Sequence, residues 1–352
     1  MIKKLFVFVF CILILAGIGG GWYLYSFVSQ PVSSDSKETI FEVSPGSFTK
    51  ITNQLYDKGL ITDKFLFKLL AKIEKKESKV RVGEFLLNTN MNPRQILNEL
   101  VEGKIIQYSF TIQEGLNIYE IAQLLDSMNL ADKAEFLRLS KSPTFVSSLI
   151  GPEFKSLEGF LFPETYNVTK YEGAEKIIRL MVGRFNEVYK KIMSESGHKK
   201  TLNLKKHVTL ASMIEKETGA AFERPMISSV FHNRLRIGMR LQSDPTILYG
   251  IMEETSVWKK NIRKKDIRRK TAYNTYTVRA LPVGPIANPG EASLRATLNP
   301  VESKKLYFVS RNDGTHYFSE SLKEHNRAVR KYQLNKKARE GKSWRDLNKR
   351  SQ

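Results

Sequence analysis

The chain has 352 residues, of which 41% are hydrophobic and 26% charged. That composition excludes a disordered polymer and is long enough for two or three modest domains. A net charge of +21 and a pI near 9.8 imply an anionic neighbourhood: an acidic polymer, an anionic membrane surface or nucleic acid. The one cysteine, Cys11, excludes an intrachain disulfide and a cysteine-built metal site.

Leu5 to Val28 runs 24 residues without a charge, about 36 Å as a helix against a hydrocarbon core of about 30 Å. It is expected to cross a bilayer once. Lys3 and Lys4 precede it and no charge follows until Asp35, so the positive-inside rule places the N-terminus in the cytoplasm and the rest outside. Trp22, Tyr23 and Tyr25 suit the outer interface. A cleaved signal peptide would have a shorter apolar run and an A-x-A site, so residues 1–29 are expected to remain as an anchor. The polar, Ser-rich stretch 30–39 predicts a linker.

A loose repeat follows. Phe41, Val43, Gly46, Ile51, Leu55 and Leu60 recur as Phe110, Ile112, Gly115, Ile121, Leu125 and Leu130. Each copy predicts a short strand, a Gly-bearing turn and an amphipathic helix. Between them "VRVGEFLLN" predicts a strand, and "NPRQILNELVEGK" a helix capped by Asn92 with Pro93 at its first position. Asp132 to Ser148 is expected to be helical with a break near Pro143. These elements predict a small α+β module over 40–150.

"LEGFLFPETYNV", from Leu157, sets Glu158 and Glu164 among three aromatics. Aromatic faces stack on sugars while carboxylates accept hydroxyl protons, although a buried turn would use the same residues. Glu172 to Ser196 predicts one helix with a core-facing stripe from Ile177 to Ile192, packed against the helix that follows.

That next helix organises the chain. "LKKHVTLASMIEKET" is expected to end at Thr218 and close at Gly219, with a second helix from Pro225 to about Arg236. Leu210, Met213, Ile214 and Glu217 share one face. Apolar surroundings and the negative end of the helix dipole both push the Glu217 carboxyl pKa upward, as a general acid near neutral pH requires. A boundary residue reaching for solvent is the plainer alternative. Glu215 and Glu223 are possible second carboxylates, and Arg234 could hold a carboxylate or backbone.

Lys259 to Lys270 holds eight basic residues and one acid. No aromatic is interleaved for base stacking, so nucleic acid is not an expected partner and a solvated face is. Tyr273, Asn274, Thr275 and Tyr276 offer aromatic faces, amide and hydroxyl groups suited to N-acetylated sugars, or else a packed loop. A helix from about Glu291, a hairpin around "NDG" and a basic helical tail over 336–352 complete the chain. The five His residues show no metal-binding spacing, so neither metal nor cofactor is expected, and P-loop and G-x-S-x-G patterns are absent.

"ASMIEKET", "ERPMISSVFHNRLRIGMRLQSDPTILYG", "AYNTYTVRALPVGPIANPGEASLRATLNP" and "LYFVSRNDGTHYFSESLKEHN" resemble, in order and spacing, the endolytic murein transglycosylases of the YceG-like (MltG) family. The basic run 259–270 departs from that wording. The resemblance implies a lyase cutting nascent peptidoglycan strands at the cytoplasmic (inner) membrane of a bacterium, on its extracytoplasmic side. It implies Glu217 as catalytic acid/base and Gln242 and Asp244 as sugar-orienting groups. With Glu158, Glu164, Tyr273, Asn274 and Tyr276 these form the expected substrate-binding set. The module at 40–150 is similar to the family's LysM-like subdomain, which implies glycan binding, and peptidoglycan synthases are implied partners. The expected architecture is α+β: one transmembrane helix, the LysM-like α+β module, and a larger, mostly helical catalytic domain with a β portion over 151–335. A binding scaffold without catalysis and a hydrolytic muramidase are the alternatives.

Overall fold

The computed structural model describes residues 2–196 and 203–335; the tail expected over 336–352 and His198 lie outside them. The fold is mixed and mostly helical. Contacts divide the chain into two compact units, Met1–Ser109 with Asn167–Glu172, and Phe110–Tyr166 with Gly173–Gln352.

The first unit opens with helix α1 (Ile2–Ser29), of which Phe6–Ser29 is long and apolar enough to cross a membrane. Its far end is built into the unit's core: Val28 is buried, and Leu24 and Phe27 pack against the cluster that holds Phe41, Phe67 and Leu97. The polar stretch after it, expected as a linker, is tied down. The Ser33 amide donates to Thr89 O at 3.2 Å, Asn88 Nδ2 to Ser36 Oγ at 2.7 Å and Thr89 Oγ1 to Asp35 O at 2.5 Å. Strand β1 (Glu38–Val43) pairs antiparallel with β2 (Gly83–Asn88), with Phe41 opposite Phe85. Helices α2 (Phe48–Asp57), α3 (Lys64–Ile73) and α4 (Pro93–Glu102) are capped by Ser47, Asp63 and Asn92. Asn92 and Gln95 form the reciprocal box that satisfies two orphan amides, as the Asn-Pro start predicts.

Strand β3 (Tyr108–Thr111) leads into α5 (Ile118–Ser127), α6 (Lys133–Lys141) and α7 (Pro143–Ile150), then β4 (Thr165–Val168), which pairs with β3. The two copies of the repeat therefore fall in different units, and contacts part at Ser109 rather than at 150. Local pattern is alike in both, with Ile51 and Leu55 buried in one and Ile121 and Leu125 in the other, but each buries its stripe in its own unit's core.

The rest of the second unit comprises α8 (Gly173–Glu195), α9 (Leu204–Glu217), α10 (Arg224–Arg236), α11 (Asp244–Thr255), α12 (Lys264–Ile267), α13 (Glu291–Leu298), the hairpin β5 (Tyr307–Ser310) and β6 (His316–Ser319), and α14 (Leu322–Val329). Asn312 and Gly314 take positive φ in the hairpin turn, as "NDG" predicts. Helix α9 is the core element, enclosed by α10, α11 and α13. Leu210, Met213 and Ile214 are fully buried, each worth about 1.5–3 kcal/mol of transfer free energy. Helix α8 packs mainly on α6 and α13, and it reaches α9 through Tyr189, whose hydroxyl lies 3.1 Å from His207 Nδ1.

Candidate active site

Helix α9 ends one residue earlier than the sequence predicts. Thr218 is already extended (φ −146°, ψ 137°), so Gly219 does not close the helix in the left-handed form. The reason is local: Thr218 Oγ1 accepts the Ala220 amide at 3.0 Å, an alternative to a glycine cap. Glu217 is thus the last helical residue, partly buried at the rim of the core. Ser243 Oγ donates to its Oε1 at 2.5 Å. Burial pushes the Glu217 pKa up to about 7, the Ser243 hydrogen bond and the Arg234 charge oppose that rise, and the Asp244 charge adds to it.

The loop that carries Ser243 is held from both sides. Arg234, buried on α10, donates from Nη1 to Leu241 O at 2.5 Å and from Nε to Leu306 O at 2.7 Å, so it holds backbone rather than a carboxylate. Its guanidinium lies 5.6 Å from the Tyr307 ring. On the other side the Ser243 amide donates to Thr275 Oγ1 at 2.9 Å and the Gln242 amide to Thr275 O at 3.3 Å. Gln242 takes φ +49°, which turns the loop and leaves its side chain exposed. Asp244 is exposed at the start of α11 and accepts the Tyr276 hydroxyl at 2.7 Å. The result is a carboxyl whose pKa burial lifts to about 7, with the Asp244–Tyr276 pair close by and Gln242 exposed on the same loop.

The sequence profile of the YceG-like family matches residues 41–331. The chain belongs to that family. A Bacillus subtilis (strain 168) relative named endolytic murein transglycosylase is 32% identical over 333 residues, covering 90% of this chain and 91% of the relative. A Streptococcus pneumoniae (serotype 2, strain D39) protein of the same name is 27% identical over 372 residues, 93% of this chain but only 65% of its own length. The crystal structure of a YceG-like protein from Listeria monocytogenes superimposes with a TM-score of 0.57 at 33% identity, covering 84% of this chain and all of that one.

Within this YceG-like chain the remaining acids have other partners. Glu215 is buried against Arg224 Nη2 at 2.7 Å and accepts the Gly290 amide at 3.0 Å. Glu223 accepts the His316 amide at 2.8 Å and lies 2.7 Å from its Nδ1.

Several residues expected on a sugar-facing wall are placed elsewhere. Glu158 is buried and accepts from the Ile118 amide (3.1 Å), Asn288 Nδ2 (3.0 Å) and the Tyr249 hydroxyl (2.8 Å). Burial pushes its pKa up to about 8, against the bonds from Ile118 and Tyr249. Glu164 is half exposed and paired with Arg184 of α8. Asn274 is buried, its Nδ2 donating to Arg269 O (2.7 Å) and Ile267 O (3.0 Å), so it fixes the loop. Tyr273 turns inward, edge-on to Tyr249 at 4.8 Å. Of the expected set, the structure brings Asp244 and Tyr276 near Glu217 and leaves Gln242 exposed beside Ser243 on the same loop. Sequence reasoning missed Ser243; its place before Asp-Pro at the start of α11 marks it as a helix-start residue and points its side chain at nothing in particular.

Proposed function

We propose that this chain is a peptidoglycan lytic transglycosylase that cuts the bond between N-acetylmuramic acid and N-acetylglucosamine within nascent strands. The observation that carries the reading is the Glu217 carboxyl, its pKa lifted to about 7 beside Ser243, while Glu215 is paired with Arg224 and Glu223 is hydrogen-bonded to His316. The names of the relatives from B. subtilis and S. pneumoniae support the same activity.

Most glycosidases use two carboxylates, one to protonate the leaving oxygen and one to supply or activate a nucleophile. A transglycosylase needs one. Protonated Glu217 gives its proton to the glycosidic oxygen as the C1–O bond breaks and positive charge develops at C1. The carboxylate so formed takes the proton of the muramic acid C6 hydroxyl, and that oxygen bonds C1. The products are a 1,6-anhydro end and a free N-acetylglucosamine hydroxyl, with Glu217 reprotonated and no water consumed. Ser243 fixes the carboxyl rotamer; Gln242, Asp244 and Tyr276 orient the sugars.

Helix α1 anchors the chain in the cytoplasmic membrane with the N-terminus inside, which keeps the enzyme where strands are still lipid-linked and raises local concentration without new contacts. The first unit holds glycan as a LysM-like module would, and synthases that polymerise the strands are the neighbours this activity serves.

The test is to incubate the full chain in detergent, and its Glu217→Gln variant, with uncrosslinked strands and weigh the products. New ends lighter by one water, made only by the unaltered chain, are expected. Full-weight reducing ends would mean hydrolysis, and strand binding without cleavage by either protein would mean a scaffold.

A further inference from the structure

In the first unit, helix α3 carries apolar residues on both faces. Its inner face, Leu66, Phe67, Leu70 and Ala71, fills the core. Its outer face repeats the pattern: Phe65 is 72% exposed and Ile73 59% exposed, with half-buried Leu69 between them, at i, i+4 and i+8. Lys64, Lys68 and Lys72 form the adjacent row. A surface helix of a water-soluble unit ordinarily turns a polar face outward. An apolar stripe edged by lysines is the pattern of a helix lying in a membrane interface.

The position of α3 gives that pattern its meaning. Helix α1 packs against α3 and α4 with Leu24, Phe27 and Val28. A cleft of about 280 Å³ at this junction is lined by Tyr23, Phe27 and Val32 from the α1 end, Asp63 at the α3 cap and Pro93 at the α4 start. The apolar span of 24 residues, Phe6–Ser29, is about 36 Å long, so its last turn leaves a hydrocarbon core of about 30 Å and enters the headgroup layer. That last turn is the part the unit grips, and the hydrogen bonds of residues 33–36 to Asn88 and Thr89 shorten any tether.

We infer that the first unit lies on the bilayer through α3, with Phe65, Leu69 and Ile73 in the interface and the lysine row on anionic lipid headgroups. This rests on α1 spanning the membrane, and the experiment separates the two statements. The full chain carrying Cys11→Ala is placed in vesicles of phosphatidylcholine and phosphatidylglycerol. Single cysteines, Phe65→Cys, Ile73→Cys, Leu86→Cys or Leu13→Cys, carry an environment-sensitive fluorophore. Leu86 is 46% exposed on the outer face of β2, away from the helices, and serves as reference.

Nitroxide on the headgroups is expected to quench the labels at 65 and 73 about twofold or more beyond the label at 86. Nitroxide on the acyl chains is expected to quench the label at 13. Equal quenching at 65, 73 and 86 with position 13 quenched overturns the inference and leaves the anchor standing. An unquenched label at position 13 rejects the anchor and the inference with it.

Discussion

The Ser243 hydroxyl donates to Glu217 Oε1 at 2.5 Å and so joins the end of α9 to the start of α11. The bond favours the ionised carboxyl, working against the burial that holds the proton on. Ser243→Ala is therefore expected to raise the Glu217 pKa further. Because the first step spends the proton, the alkaline limb of the rate profile should move to higher pH. Activity at neutral pH should fall on the order of tenfold through lost orientation, consistent with a charged hydrogen bond of about 1.5–3 kcal/mol. A pH–rate series on both proteins checks it; an unmoved limb would dissociate Ser243 from the titrating group.

The same carboxyl costs stability. The folded pKa of Glu217 is raised from 4.5 to about 7, so between those values the folded state binds more proton than the unfolded state, and stability falls as pH rises. The cost is absent below pH 4.5 and complete above about 7. Glu217→Gln should melt like the unaltered chain at pH 4 and at a higher temperature at pH 8. The upper bound is about 3 kcal/mol, reduced because the group keeps some contact with water. Thermal unfolding at the two pH values decides.

How much of this was legible in the sequence varies from residue to residue. The 3.6-residue spacing of Leu210, Met213, Ile214 and Glu217 marks the face of α9, and that face is buried as its apolar content requires. Asn92-Pro93 and "NDG" announce their cap and turn because those signals act within four residues. Ser243 and Glu158 are different. Their partners lie at sequence distances of 26 and up to 130 residues, so no local pattern names them. Glu158 among aromatics reads as a sugar wall or as part of a buried turn, and its three donors come from separate segments that no local pattern brings together. The repeat misleads for the same reason: similar local patterns fall in different units.

Arg234 shows what a conservative change costs in a buried clamp. Its two donors reach Leu241 O and Leu306 O in different segments, a fork that the single ammonium of lysine does not reproduce. Arg234→Lys should lower stability by about 1.5–3 kcal/mol, as loss of a charged hydrogen bond does. It should also lower kcat, because the Ser243 loop loses its support. Urea unfolding monitored beside product formation tests both, and an unchanged urea midpoint would show the clamp to be dispensable.

Glu158 offers a choice between packing and binding. Removing its carboxyl leaves the Ile118 amide, the Tyr249 hydroxyl and Asn288 Nδ2 without the acceptor they share, and each buried group stranded this way costs about 1–3 kcal/mol. Tyr249 keeps a second acceptor in Glu253 at 3.1 Å, and Asn288 Nδ2 one in Leu116 O at 2.9 Å, which softens the loss. Glu158→Ala is thus expected to destabilise the chain by about 2–4 kcal/mol, with Glu158→Gln milder because its amide oxygen still accepts. Neither variant should change KM for glycan strands in the protein that remains folded. Denaturant unfolding and KM measured on the same preparations separate the two roles: a raised KM at unchanged stability would put Glu158 on the substrate wall.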